Sequence, residues 1–449
     1  MASQSRVEPR SGEVDTSFGV KGTTFLMKDG GSVSNAREAI TDENGRILLA
    51  GTFKTSSGEQ YALFRLTADG EQDATFGATS AQGVVVGNFV KNKDARANSV
   101  TITEDNKILL SGASGAKTAT GTSVEVFTGG IARFDQNGSL DPSFGSEGHI
   151  SLSVRPPSGG STSSVESAYD VNSDIATAAL SSVAKNKILY TWSANTRTIW
   201  GQLVFSYSVL GRLGADGISD SSFQKGGHVY VRLPEENVLV TAVRTHLVGD
   251  GHIVVAGDVV ATGRPNRGFL RCYDLNGNVD TAFGDSTLSD GFVFALPVDD
   301  VRHVMTKTLI RHESTLLLVG NSDGQGVMAA FMLNGHIDRT FNNGELLSAN
   351  LPGSSGKVTW VDAASSDGGI LALGHIGGPE AGQFVLARYL ASGVLDTRFG
   401  AGKGWVPATP GIELKSLVIQ RRDGLPNRIL VTGVVIDGEH AVVMAFMDV

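Results

Sequence analysis

Seven times in 449 residues the chain writes Gly-x-x-Asp-x-x-Phe. The aspartates are Asp15, Asp73, Asp141, Asp220, Asp280, Asp338 and Asp396. Their partners are Phe18, Phe76, Phe144, Phe223, Phe283, Phe341 and Phe399. A glycine stands three residues before each Asp: Gly12, Gly70, Gly138, Gly217, Gly277, Gly335 and Gly393. The steps between aspartates are 58, 68, 79, 60, 58 and 58 residues. A unit recurring at such a period does not bury its apolar face alone. Stacked neighbours make the core, as in solenoids, propellers and arrays.

The rest of the unit repeats as well. Apolar runs ending near Gly recur as ILLAG (47–51), ILLSG (108–112), IVVAG (253–257), LLLVG (316–320), ILALG (370–374) and ILVTG (429–433), with a degenerate ILYTW at 188–192. Polar turns such as ENGR and EDNK precede them, which is a hairpin signal. A second run follows, as in YALFRL and FVLARY, and then a turn such as ADG or ASG leads into the motif. Strand-like pieces such as HISLSV (149–154) and SVTIT (99–103) complete the unit. No segment reads as an amphipathic helix. Four short strands per ~58 residues is the pattern of a β-propeller; a row of immunoglobulin-like sandwiches needs ~100 residues per unit.

The two ends complement each other. The last unit stops at Val449 before its turn and motif, and SGEVDTSFG at 11–19 supplies those parts. One more common step beyond Asp396 falls five residues past Val449, and Asp15 lies five past Arg10. The expected fold is therefore an all-β, seven-bladed propeller over 11–449. Its antiparallel blades have four strands each, and the ring closes between the N- and C-terminal units. Residues 1–10 read as a flexible tail, and two loop insertions fall at about 115–128 and 155–175. Each blade is expected to begin after the Phe-Gly segment, making that segment the crossover between blades; a frame shifted by one strand is the alternative.

The pattern, closest to consensus in FVLARYLASGVLDTRFGAGKGWV (384–406), resembles the bacterial delta-60 repeat family over 11–449. The resemblance implies a propeller-like all-β fold and no reaction. The chain departs from it at Gln224 and Asn342, where the Gly after Phe is lost.

Physically, the motif Gly suits a left-handed turn, the Asp can accept backbone N–H bonds from the next residues, and the Phe fills the space between units. Asp135, Asn137 and Asp141, like Asp274, Asn276 and Asp280, resemble the start of a calcium loop. The other copies break that pattern and the closing Glu is missing, so no metal is expected. An Arg stands five residues before the Gly in four units: Arg65, Arg133, Arg212 and Arg388. Cys272, Ala330 and Phe446 hold the slot elsewhere, and structural pairing explains the Arg better than a ligand ring.

Function is sought where copies differ. The stretch 151–174 reads as a long Ser/Gly/Pro-rich loop. Trp192, Trp200 and Tyr207 lie close in sequence beyond it, and aromatics of this kind stack on sugars when exposed. The residue opening one strand type reads Thr23, His149, His228, Phe292, Glu345 and Trp405. If that strand is innermost, these side chains ring the channel mouth. His149, His228, Glu345, Trp405 and Trp200 are then the candidate ligand contacts. Glu235 and Glu236, with Asp299, Asp300 and nearby His303, form an acidic loop cluster of the kind that cleaves glycosides.

The net charge of −9 and pI near 5.5 argue against nucleic acid. No apolar run is long enough for a membrane helix, no cleavable signal peptide is visible, and Cys272 is the single cysteine. The expectation is a monomeric, cofactor-free binding or scaffold propeller taking a protein or carbohydrate ligand. It would be cytoplasmic, unless exported by a leaderless route. The alternative is a sugar-cleaving hydrolase or lyase using the acidic cluster.

Overall fold

A computed structural model describes residues 10–449 except for 79–81, 117–125, 153–169, 181–186, 198–202, 225, 234–237, 249–250, 262, 285–290, 298, 379–382, 409–410 and 437–439. The chain forms a seven-bladed β-propeller of four-stranded antiparallel blades. One 3-10 turn, Asn342–Gly344, is the sole helical element among the described residues. None of their helices is long and apolar enough to cross a membrane.

The inner strands of blades 1 to 7 are Ser32–Thr41, Asp94–Ile102, Asp170–Leu180, Val238–Val248, Met305–His312, Val358–Ser366 and Ile412–Gln420. Each packs on the inner strands of both neighbours, and the seventh returns to the first. The outer strands of blades 1 to 6 are Val84–Gly87, His149–Leu152, His228–Val231, Phe292–Phe294, Leu347–Ser348 and Trp405–Ala408. Blade 7 takes its outer strand from the N-terminus: Thr23–Phe25 pairs antiparallel with Ala441–Asp448, Thr23 opposite Met444. Val14 bridges to Phe446 on the same strand. Each motif thus lies inside a blade, between its third and outer strands. The expectation that the Phe-Gly segment crosses between blades is corrected to the frame shifted by one strand. The predicted N-terminal tail, apart from Arg10, lies outside the described residues, as do the centres of both predicted insertions.

The core divides into seven apolar clusters, one per blade interface, and one motif Phe is buried in each. This explains the motif glycine. Phe76 of blade 1 lies against Gly138 of blade 2, so close that a Cβ there would stand 2.9 Å from the ring; Gly138 also has φ +84°. The same contact joins Phe18 to Gly70, Phe144 to Gly217, Phe223 to Gly277, Phe283 to Gly335, Phe341 to Gly393 and Phe399 to Gly12. The residue after each Phe donates its N–H to the carbonyl just before the next blade's Gly. The series runs from Gly19 to Asp69 through to Gly400 to Ser11. Gly-x-x-Asp-x-x-Phe is therefore a staple between blades: the Phe belongs to one blade and the Gly that receives it to the next.

The aspartate rigidifies the staple. Asp73 Oδ1 accepts the Thr75 N–H at 3.0 Å and the Thr75 hydroxyl at 2.6 Å, and Arg65 Nε donates to Oδ2 at 2.7 Å. The N–H three residues on goes to the Asp backbone carbonyl instead, as from Phe76 to Asp73. The Arg then reaches into the next blade. Arg65 bonds the Gln136 carbonyl, Arg133 that of Ala215, Arg212 that of Leu275, and Arg388 the Ser11 hydroxyl. Where the slot lacks Arg, a residue at the start of the second strand takes over. Thr315 donates to Asp338, His252 faces Asp280, and Arg428 pairs with Asp15 and reaches the Ala68 carbonyl of blade 1. In blade 7 the slot is held by Ala445, whose carbonyl bonds Asp15 N–H as Arg65 bonds Asp73, and not by Phe446 as the repeat spacing implies.

A second latch lies nearer the axis. Inner strands of six blades carry a β-bulge at the same level, which loosens the local ladder. Side chains from the preceding blade bond the backbone just ahead of it. Ser193 bonds Ala242, Asp258 accepts the Thr306 N–H at 2.7 Å, and Asn321 both accepts from and donates to the Trp360 backbone.

Candidate functional site

The residue that follows the bulge differs from blade to blade. It is Glu38 in blade 1, Arg244 in blade 4 and Asp362 in blade 6. Blades 1 and 4 stand on opposite sides of a seven-membered ring, yet Arg244 Nη1 and Glu38 Oε1 are 2.6 Å apart. Their ion pair spans the channel. Glu38 and Asp362 each also accept an N–H from the next inner strand, Val100 at 3.2 Å and Leu417 at 2.9 Å. Burial pushes the Asp362 carboxyl above its usual range, against the nearby Arg244 charge. The channel is thus crossed at its waist by a charge cluster. The sequence offers no sign of it, because the three residues stand in unrelated local contexts.

The predicted channel-mouth ring is not at the channel. Its strands are the outermost of each blade, so the condition on which that reading rested does not hold. His149 Nε2 lies 3.1 Å from Tyr61 Oη of blade 1, and burial lowers its pKa. His228 packs edge-on to Tyr230 and approaches the Gly226 carbonyl. Trp405 is buried, its Nε1 donating to the Pro352 carbonyl at 3.1 Å. His149 and His228 open the outer strands of blades 2 and 3, and Glu345 lies just ahead of that of blade 5. Among the described residues no three His, Cys, Asp or Glu side chains cluster as metal ligands. Asp135 and Asp274, the suspected calcium-loop openers, cap their own turns: each accepts two backbone N–H groups.

Trp200, Glu235 and Glu236 lie outside the described residues. Asp299 is exposed. Asp300 sits in the fork of Arg302, with bonds of 3.1 Å to Nε and 2.8 Å to Nη2. Hydrogen bonds from Arg302, side chain first, hold its carboxyl down at about 2. Such a group carries no proton at neutral pH and is unsuited to general-acid work. His303 Nδ1 accepts the Asn266 N–H at 3.2 Å.

The structure does bring together two residues that the sequence keeps apart. Asp300 and Glu345 line one cleft of about 750 Å³ on the outer wall between blades 4 and 5. Arg302 stands with them, over a floor that includes Val293, Ala295, Leu296, Ile337 and Leu346. The repeat spacing aligns Glu345 with Trp405. The ladder places Leu347 opposite Met328, so Leu346 takes the Trp405 position and Glu345 that of the glycine before it. A shorter turn after Asp338 hides this one-residue slip.

Three segments, 43–76, 103–144 and 249–283, match the family described as "Domain of unknown function (DUF5122) beta-propeller". These segments are similar to a β-propeller repeat family. They cover the second and third strands and motifs of blades 1, 2 and 4. No curated protein matches the chain. In shape it is similar to a protein of unknown function from Dyadobacter fermentans, at 10% identity over 95% of this chain and 98% of that one, TM-score 0.47. It is also similar to an α-L-arabinanase of Penicillium chrysogenum, solved with arabinobiose, at 12% identity over 82% and 94%, TM-score 0.45.

Proposed function

We propose that this protein is a non-enzymatic binding or scaffold propeller of the bacterial delta-60 type. It takes a protein or carbohydrate ligand through loops on one face. It works as a monomer without a cofactor, neither binding nucleic acid nor inserting into a membrane, in the cytoplasm or outside the cell. One observation carries the reading: all seven motif Phe side chains pack on the next blade's Gly, and all seven Asp side chains hold the turn that positions them. What repeats is therefore scaffold, and the chemistry left for a ligand lies where blades differ.

The competing reading is a glycoside-cleaving enzyme built on Glu235, Glu236, Asp299 and Asp300. The Arg302 fork on Asp300 speaks against it. The test is a glycan array beside hydrolysis assays on aryl glycosides. Binding without turnover is expected. Turnover that disappears in Asp300→Asn overturns the reading.

A further inference from the structure

The seam between blades 4 and 5 is built differently from the others. In five blades the slot residue donates its N–H to the carbonyl of the Gly ahead of the outer strand. These bonds join Arg65 to Gly83, Arg133 to Gly148, Arg212 to Gly227, Arg388 to Gly404 and Ala445 to Gly22. Among the described residues, Cys272 of blade 4 and Ala330 of blade 5 make no such bond. Blade 5 also has an outer strand of only two residues, paired at Val327–Ser348 and Met328–Leu347. Just before it, the Leu346 backbone joins no ladder, and Leu346 lines the cleft. A short, unpaired backbone edge beside an open groove is the setting in which an extended chain adds on.

The cleft's lining selects what kind of chain. Its floor is aliphatic. Phe292 is only 2% exposed, and Arg267 covers the Phe294 ring at 5.1 Å, so no bare aromatic platform is offered to a sugar. Val301, beside the Asp300–Arg302 pair, is 81% exposed, and Ile337 on the lining is 46% exposed. Exposed apolar side chains around one groove mark a contact surface. Of the charged lining groups, Asp300 and Arg302 satisfy each other. Glu345 is exposed; its carboxylate accepts no hydrogen bond and makes no contact ion pair with a described residue, and it feels the Arg302 charge only at longer range. One carboxylate without a contact partner at the rim of an aliphatic groove is complementary to one cation beside an apolar side chain.

We propose that the cleft between blades 4 and 5 binds an extended segment of a partner protein, in which an apolar side chain enters the groove and an adjacent Lys or Arg meets Glu345. This rests on the binding reading above and narrows it to a peptide ligand.

The experiment titrates the full chain with two synthetic hexapeptides, acetyl-Gly-Lys-Phe-Leu-Lys-Gly-amide and its Glu-for-Lys counterpart, by calorimetry at low salt. The Lys peptide is expected to bind about ten-fold tighter than the Glu peptide, and the gap to shrink at about 0.5 M salt. Glu345→Gln should weaken the Lys peptide about five-fold and tighten the Glu peptide slightly. Leu346→Trp, which puts the Trp405 side chain at the matching position, should fill the groove and abolish binding; unchanged melting shows that it folds. Equal affinity for both peptides, full binding to Leu346→Trp, or no binding at about 1 mM overturns the proposal. A glycan or protein that binds elsewhere and is insensitive to Leu346→Trp overturns the cleft while the binding reading stands. Glycoside turnover lost in Asp300→Asn overturns both.

Discussion

Asp258 shows how one side chain can carry a pH dependence into a structural seam. It is buried at 4% exposure and holds the blade 5 inner strand through the Thr306 N–H. Burial pushes its carboxyl up to about 7, against the Thr306 bonds and the Lys307 charge. The blade 5 counterpart, Asn321, serves the same latch as a neutral amide. A folded pKa above the unfolded value means the folded state holds the proton more tightly. The stabilisation is complete below pH ~4 and is lost as pH rises towards 7. Asp258→Asn removes that dependence. The variant should gain on the wild type between pH 4 and 8 by on the order of a few kcal/mol, since each tenfold difference in proton affinity is worth ~1.4 kcal/mol. Thermal melts of both proteins across that range decide it; parallel curves would exclude a titrating Asp258.

Among elements, the staple separates two demands on glycine. Gly138 needs both a positive φ and room for the Phe76 ring. Gly30 has φ +88°, but an added Cβ would meet nothing within 4 Å. Gly30→Ala should cost ~1 kcal/mol from backbone strain alone. Gly138→Ala should cost roughly 2–4 kcal/mol, because the buried ring must also move. Urea melts of both variants test this, and equal losses would mean that the Phe–Gly contact is incidental. The contact also shows what the sequence could disclose. The period, the four strands per unit and the buried Phe follow from patterning, since each copy meets the same demand. The blade frame did not follow, because a motif between third and outer strands and a motif between blades produce the same linear order. Nor could spacing reveal that each Gly serves the preceding blade's Phe. Arg428 escaped notice for a related reason: it replaces the missing slot Arg from a different strand, where local alignment sees only a turn residue. The cleft rests on a one-residue slip at Glu345 and the channel pair on Arg244 crossing to Glu38. Neither leaves a mark in the repeat.

At the scale of the molecule, six blades are each one continuous stretch of chain, and the seventh is closed by non-covalent contacts. Residues 10–27 take part in both of its seams. Gly12 receives Phe399 of blade 6, and Phe18 packs on Gly70 of blade 1. Asp15 neutralises the fully buried Arg428 at 2.5 Å, and Ser11 accepts from Arg388. A chain lacking residues 1–9 retains all these contacts and should lose less than ~1 kcal/mol. A chain lacking residues 1–27 exposes the pockets of Phe18 and Leu26, worth ~2–3 kcal/mol each. It also takes the Asp15 carboxylate away from Arg428, which keeps only the more distant Asp69 carboxylate at 3.3 Å, at a cost of ~1–3 kcal/mol. Against the ~5–15 kcal/mol of a typical domain, that is most of the stability available. The truncated protein should therefore melt far lower. A synthetic peptide of residues 10–27 should restore its melting temperature in a concentration-dependent way, because the strand then binds as a ligand of the folded state. The same peptide with Asp15→Asn should restore less, since Arg428 then lacks its nearest carboxylate. If the truncated chain melts like the intact protein, or the peptide leaves it unchanged, the N-terminal strand does not close the ring.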